Sequence, residues 1–270
     1  MLKYSYTLRD DIFRYGLRLA SESSETIKRK NLMITGGCAT QLFLGDYKEL
    51  YRPTDDIDLA SDGYLKKQER ILWMNELVKK IREDGVSCTK GLCDSGAEVS
   101  LKGLLDDLFI RLNCFNQYYY LRYTEKIRGE FERSINETLY GINVKYQHPI
   151  DIIANKFDRI LSRNKVLGIP FDRKINELIN LLEEGEFDSI DIDLYKEDVE
   201  DIAAQRQINV EDLGRLSRRE TQMIIEGYKI RKDIYDICCV IEVARKKNFN
   251  ISKKEFLDAL NLALVNYCPI

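Results

Sequence analysis

The sequence predicts an α+β protein, with a mixed sheet flanked by helices over residues 1–145 and a helical bundle over 146–270. Three observations carry that expectation. Short apolar runs alternate with helical patterns in the first half. A glycine pair, Gly36-Gly37, stands where one such run gives way to a helix. From about residue 121 onward the pattern is almost wholly helical.

The first thirty residues read as a helix, with Ile12, Leu17 and Leu19 among charges, ending near "KRKN". "LMITGG" is a short buried strand that runs into the glycine pair, and "CATQLFLGDYKEL" is the helix that starts there. "DDIDLA" is the next strand. The amphipathic stretch "LKKQERILWMNELVKKIRE" is a long helix closed by Asp84-Gly85. Three strand-like runs follow, "VSCTKGL", "AEVSLKG" and "LFIRLNCF", separated by turns that contain Gly and Asp. In the second half, residues 183–201 hold ten acids against one lysine and read mostly as a solvated linker or exposed loop. Beyond them, Ile234, Ile237, Cys238 and Ile241 fall on one helical face, as do Phe256, Leu257, Leu260 and Leu264.

Composition bounds the function. With 270 residues, 44% of them hydrophobic and 32% charged, the chain has enough apolar material for a real core. A formal net charge of −3 rules out general polyanion affinity, so any nucleic-acid contact must come from a local patch. The basic excess of "RLSRRE", "KIRKD" and "ARKKN" fits the polar faces of amphipathic helices better than a phosphate seat. No run reaches the length of a membrane span, and the start lacks a signal-peptide core. The seven cysteines form no C-x-x-C pair, and with one histidine in the chain a zinc site is not expected. Reduced thiols in a cytoplasmic protein without membrane contact are the expectation.

The chemistry lies in "GG" and "RPTDDIDLA". Asp56 and Asp58 alternate with Ile57 and Leu59, so on a strand both carboxylates leave one face of the sheet. Two like charges held that close repel, and a cation between them relieves the repulsion. Mg²⁺, or Mn²⁺, suits such a pair because it prefers carboxylate and phosphate oxygens. Glycines at a strand-to-helix turn let backbone N–H groups approach a ligand, and the helix N-terminus that follows favours phosphate. Together these parts are the equipment for moving a phosphoryl or nucleotidyl group.

"GGCATQLFLG" followed by "RPTDDIDL" resembles the signature of the AbiEii-type nucleotidyltransferases, a group within the DNA polymerase beta-like nucleotidyltransferase superfamily that includes toxins of abortive-infection and toxin–antitoxin systems. The resemblance implies the nucleotidyltransferase fold. It also implies that Gly36, Gly37, Asp56 and Asp58 occupy the family positions, with Arg52 and Thr54 as the basic and hydroxyl residues before the aspartates. "HPIDIIANKFDRILSR" is similar to the family's lysine-bearing helix, so that Lys156 would meet the triphosphate, and Arg163 shares its face. "KEDVEDIAA" looks like a later acidic segment of the family, which maps Asp198 and Asp201 as supporting residues or as salt-bridge partners of Lys156 or Arg163.

Three departures from the family pattern stand out. The segment between Gly37 and Asp56 is longer, with "DYKELY" as the insertion. Cys38 stands where threonine is common. The third carboxylate position falls on Asn113, which coordinates through its amide oxygen without charge, with Asp106 and Asp107 as nearby acids.

These readings lead to a Mg²⁺-dependent transfer of a nucleoside monophosphate from an NTP such as ATP or GTP to an acceptor hydroxyl. Asp56 and Asp58 are the catalytic, metal-holding pair. Gly36, Gly37, Arg52, Thr54 and Lys156 bind the nucleotide, and Asn113, Arg163, Asp198 and Asp201 support the site. The resemblance names RNA, particularly a tRNA end, or a protein hydroxyl as acceptor, with a small molecule such as an antibiotic as a further candidate, and an antitoxin protein as partner. The alternatives are a catalytically impaired nucleotide-binding regulator, which Asn113 would explain, and a protein-interaction module built on the bundle.

Overall fold

The computed structural model describes residues 6–23, 31–93, 96–103, 107–113, 117–168, 171–194 and 217–264. The chain divides at His148–Pro149 into two compact units.

In the first unit, helix α1 (Asp11–Glu22) buries Phe13, Leu17, Leu19 and Ala20. At Gly16 it comes so close to the sheet that a Cβ would stand 2.8 Å from Leu108 Cδ2 and 3.1 Å from Ile57 Cδ1. The expected continuation of this helix toward "KRKN" falls on residues 24–30, outside the described residues. Strand β1 (Leu32–Thr35) passes directly into α2 (Gly36–Leu44). That helix is shorter than expected. Gly45, at φ 59°, ends it, and "KEL" forms a separate single 3₁₀ turn at Lys48–Leu50.

Strand β2 (Asp56–Ser61) and helix α3 (Lys67–Glu83) follow, then β3 (Cys88–Cys93), β4 (Gly96–Lys102), β5 (Asp107–Asn113) and helix α4 (Gln117–Arg133). The sequence pattern does not anticipate what comes next, a hairpin of β6 (Ile135–Leu139) and β7 (Ile142–Tyr146). Its turn, Tyr140-Gly141, has φ of 53° and 73°, the positive pair that a two-residue hairpin turn requires. Strand β6 buries none of its residues and lacks apolar alternation, whereas β7, "INVKY", alternates and buries Val144 and Tyr146. The hairpin is anchored where Tyr146 pairs with Ile34 and where its hydroxyl donates to Glu137 at 2.5 Å.

Among the described residues the sheet has seven strands, in the order β3-β4-β5-β2-β1-β7-β6. It is mixed. The β2–β5 and β1–β7 pairs are parallel and the others antiparallel. Strands β2 and β5 both alternate strictly between buried and more accessible residues. Ile57, Leu59, Leu108, Ile110 and Leu112 form the buried face, and Asp56, Asp58, Phe109, Arg111 and Asn113 lie on the other.

The second unit is helical: α5 (Pro149–Leu167), α6 (Arg173–Glu184), α7 (Arg218–Lys246) and α8 (Lys253–Leu264). Proline opens α5 at the position where a missing N–H costs nothing. Helix α6 is capped by Asp172, whose carboxylate accepts from Ile175 N at 2.9 Å, and it stops at Gly185 in the left-handed region. Ser217 and Glu220 cap α7 reciprocally. Helix α5 packs on α7 and α8, and the Phe256 ring meets Phe157 tilted at 6.0 Å and Phe187 edge to face at 5.5 Å between centroids. The start of the acidic stretch is tied down rather than solvated. Phe187, Ile190 and Ile192 are buried, and Arg245 donates to the carbonyls of Phe187 and Ile190. Among the described residues, no helix is long and apolar enough to cross a membrane.

Candidate functional site

The first cluster grows from the β1–α2 turn. Gly36 has φ 69°, and a Cβ there would stand 3.0 Å from Asp58 Oδ2. A Cβ on Gly37 would meet Arg52 Nη2 at 3.0 Å and Thr54 Oγ1 at 3.3 Å. Both glycines are therefore needed for close approach, and the first for its backbone conformation as well. They bring the N-terminus of α2, with its partial positive charge, against the aspartate-bearing strand.

Gln41, buried in α2, fixes that approach. Its side chain accepts from Leu8 N at 3.0 Å and donates to the Arg52 carbonyl at 2.9 Å. Arg52 is buried under the turn, with Nη1 donating to the Pro53 carbonyl at 2.9 Å. Thr54 is fully buried and donates its hydroxyl to Asp56 Oδ1 at 2.7 Å, which orients that carboxylate.

The β2–β5 register supplies the rest. Phe109 lies opposite Asp56, Arg111 opposite Asp58, and Asn113 opposite Ala60. The Asn113 amide donates to Asp58 Oδ1 at 2.9 Å, so it does reach the aspartate pair. The residue in register beside Asp58 is Arg111. Its Nη1 donates to Asp56 Oδ2 at 2.8 Å, and its Nε donates to Glu98 Oε2, on β4, at 2.7 Å. Burial would lower the affinity of this guanidinium for its proton, but Glu98 and the two aspartates outweigh it and hold the proton more tightly than usual. Beneath the pair lies the Cys38 thiol. Burial pushes its pKa well up, and the charges of Asp56 and Asp58 push it further, so it stays a neutral, inert thiol.

The two carboxylates on the accessible face of β2 suit a hard divalent cation, with the Asn113 amide beside them on β5. Among the described residues there is no group of three or more His, Cys, Asp or Glu placed to hold a metal ion. A cation here would rely on Asp56, Asp58 and oxygens from outside the protein.

The second cluster belongs to the helical unit. Lys156, on α5, is buried and donates to Asp236 at 2.5 Å, with Asp233 Oδ1 at 3.5 Å. Arg159 and Arg163, from the same helix face, also close on Asp233, at 2.7 and 2.6 Å. Arg163 reaches Glu226 as well, at 2.7 Å. Burial would raise the pKa of Asp233, but Arg159, Lys156 and Arg163 bring it down to about 2. Among the described residues, the carboxylates facing Lys156 are Asp233 and Asp236; Asp198 and Asp201 lie outside the described residues. The signal for the observed pair is present in "DIYDICC", where two acids three residues apart interrupt an apolar helix run. Glu98 and Arg111 carry no such local mark, because only the strand register brings them to Asp56.

No protein-family model matches this chain, and no curated protein does. Among solved structures, an antigenic nucleotidyltransferase-like protein from Paracoccidioides brasiliensis is similar at 16% identity and a TM-score of 0.35, over 61% of this chain and 75% of the other. A cytoplasmic RNA terminal U-transferase is similar at 9% identity and a TM-score of 0.27, over 60% of this chain and 42% of the other. At these scores neither likeness identifies a family.

Proposed function

We propose that this chain is a nucleotidyltransferase that moves a nucleoside monophosphate from an NTP to an acceptor hydroxyl. The observation that carries the reading is the placement of Asp56 and Asp58 on an accessible strand face against the N-terminus of α2 at Gly36-Gly37. A bound divalent metal, Mg²⁺ or Mn²⁺, would be held by Asp56 and Asp58, and it would supply positive charge against the triphosphate. The α2 N-terminus receives phosphate oxygens. Thr54 and Asn113 keep the two carboxylates in place. The acceptor oxygen forms a bond to the α-phosphorus as the α–β bridging bond breaks. Pyrophosphate leaves, and the hydroxyl proton passes to solvent.

The resemblance of "GGCATQLFLG" and "RPTDDIDL" to the AbiEii-type enzymes supports RNA, particularly a tRNA end, or a protein as acceptor, and a toxin role opposed by an antitoxin protein. Lys156 and Arg163 then act by building the α5–α7 interface through Asp233, Asp236 and Glu226.

The test is transfer of label from each α-labelled NTP, with Mg²⁺, to total RNA or to protein extract, with Asp56→Asn/Asp58→Asn in parallel. Label moved by the unaltered chain and not by the double variant is the expected result. One observation favours a second reading, a nucleotide-binding regulator: a guanidinium, not a third carboxylate, stands beside the aspartates. NTP binding that is lost in the double variant, without any transfer, would replace the enzyme reading with that one.

A further inference from the structure

Among the described residues, three groups touch the Arg111 guanidinium. Asp56 accepts from Nη1 at 2.8 Å, Glu98 accepts from Nε at 2.7 Å, and the Phe109 ring lies under it with its centroid 4.8 Å from Cζ. Charge-assisted bonds on two edges and a ring on one face fix both its position and its orientation. It therefore takes up one oxygen of Asp56, while Thr54 takes the other.

Building on the nucleotidyltransferase reading, we infer that Arg111 is an internal cation that competes with divalent metal for Asp56. A metal ion on Asp56 Oδ2 would share that oxygen's electron density with the guanidinium, and the two positive charges repel at this distance. Glu98 provides the alternative. It holds Nε while Nη1 is released from Asp56, so the arginine has a partner in both states. Glu98 is about one-third exposed and Asp56 less so, so Glu98 loses less hydration when it is left as the sole partner. The competition makes metal binding weak until further negative charge, such as that of a triphosphate, enters the site. Arg111 is thus a positioning residue that sets metal affinity and not a catalytic residue.

The experiment measures Mn²⁺ binding to the full chain without nucleotide, by titration calorimetry and by the loss of the free-ion spin-resonance signal. Arg111→Met, with its fold checked by circular dichroism, is expected to bind Mn²⁺ roughly tenfold more tightly than the unaltered chain, the scale of one partly screened unit charge beside the ion. Arg111→Lys, which keeps the charge but not the planar fork, falls between the two. Glu98→Gln, which leaves Asp56 as the one charged hydrogen-bond partner of Arg111 among the described residues, binds more weakly than the unaltered chain. Adding Asp56→Asn to Arg111→Met abolishes the gain.

A folded Arg111→Met that binds Mn²⁺ no more tightly than an unaltered chain that does bind it overturns the competition and leaves the nucleotidyltransferase reading standing. Failure of every variant to bind Mn²⁺, with or without NTP, overturns both. If Arg111→Met does not fold, the Arg111→Lys and Glu98→Gln shifts decide. Their expected signs are opposite, and equal affinities in the two overturn the proposal.

Discussion

Replacing Asp236 by alanine tests the ion-pair cluster of the helical unit most directly. The side chains of Lys156 and Asp236 are 3% and 2% exposed and meet at 2.5 Å. Truncating one partner leaves a buried ammonium, which costs about 3–5 kcal/mol when no other counter-charge is close. Asp233 remains 3.5 Å away, but it already serves Arg159 and Arg163 at shorter distances, so it compensates only in part. The lower end applies, about 3 kcal/mol, or a fall of roughly 10 °C in the melting temperature of a unit this size. Lys156→Met/Asp236→Leu removes both charges and fills the space, so it should return to within about 1.5 kcal/mol of the unaltered chain. Urea unfolding followed by far-ultraviolet circular dichroism reports the helices, and the fluorescence of Trp73, the chain's one tryptophan, reports the first unit. An Asp236→Ala chain within about 0.5 kcal/mol of the unaltered one would refute the reasoning. So would a double variant less stable than the single one.

Three further outcomes are expected. Asp233 is held at about 2, below its ordinary value, so its ion pairs stabilise the fold fully above about pH 4 and the contribution is lost as pH falls toward 2. Acid titration of stability should show a loss of about 2 kcal/mol over that window, and Asp233→Asn should flatten it. Gly36→Ala combines a φ of 69° with a Cβ 3.0 Å from Asp58 Oδ2, whereas Gly141→Ala, at φ 73°, meets nothing within 4 Å. Both should cost about 1 kcal/mol of backbone strain in thermal melts, and the Gly36 variant alone should also lose nucleotide affinity, as read by equilibrium dialysis. Cys88 is half-buried, whereas Cys38, Cys238 and Cys239 are buried. Alkylation followed by peptide mass spectrometry should label Cys88 well before those three.

Local pattern was enough wherever one residue's conformation or one element's periodicity decided the outcome. "LMITGG" marks a strand that ends in a turn whose positive φ favours glycine, and "DDIDLA" sets both carboxylates on one face, because strand alternation is a property of the backbone. The long helices show themselves through their apolar stripes and their caps. The β6–β7 hairpin is less plain, because β6 buries none of its residues and does not alternate, so that the short alternation of "INVKY" in β7 and the Tyr140-Gly141 turn are its marks.

What the tertiary structure alone decided is which charges meet. Arg111 and Glu98 reach Asp56 because β5 runs parallel to β2 in one register and antiparallel to β4 in another, and a one-residue slip would turn all of their side chains to the buried face. Lys156 finds Asp233 and Asp236 because α5 packs on α7, some 80 residues further along the chain. The sequence alone determined the parts of the candidate site, a glycine turn at Gly36-Gly37 and a shared strand face for Asp56 and Asp58, since each depends on local backbone geometry; their meeting depends on the β1–β2 pairing. The site's electrostatics belong to the fold, because Coulomb energy depends on distances through space and no spacing along the chain encodes them.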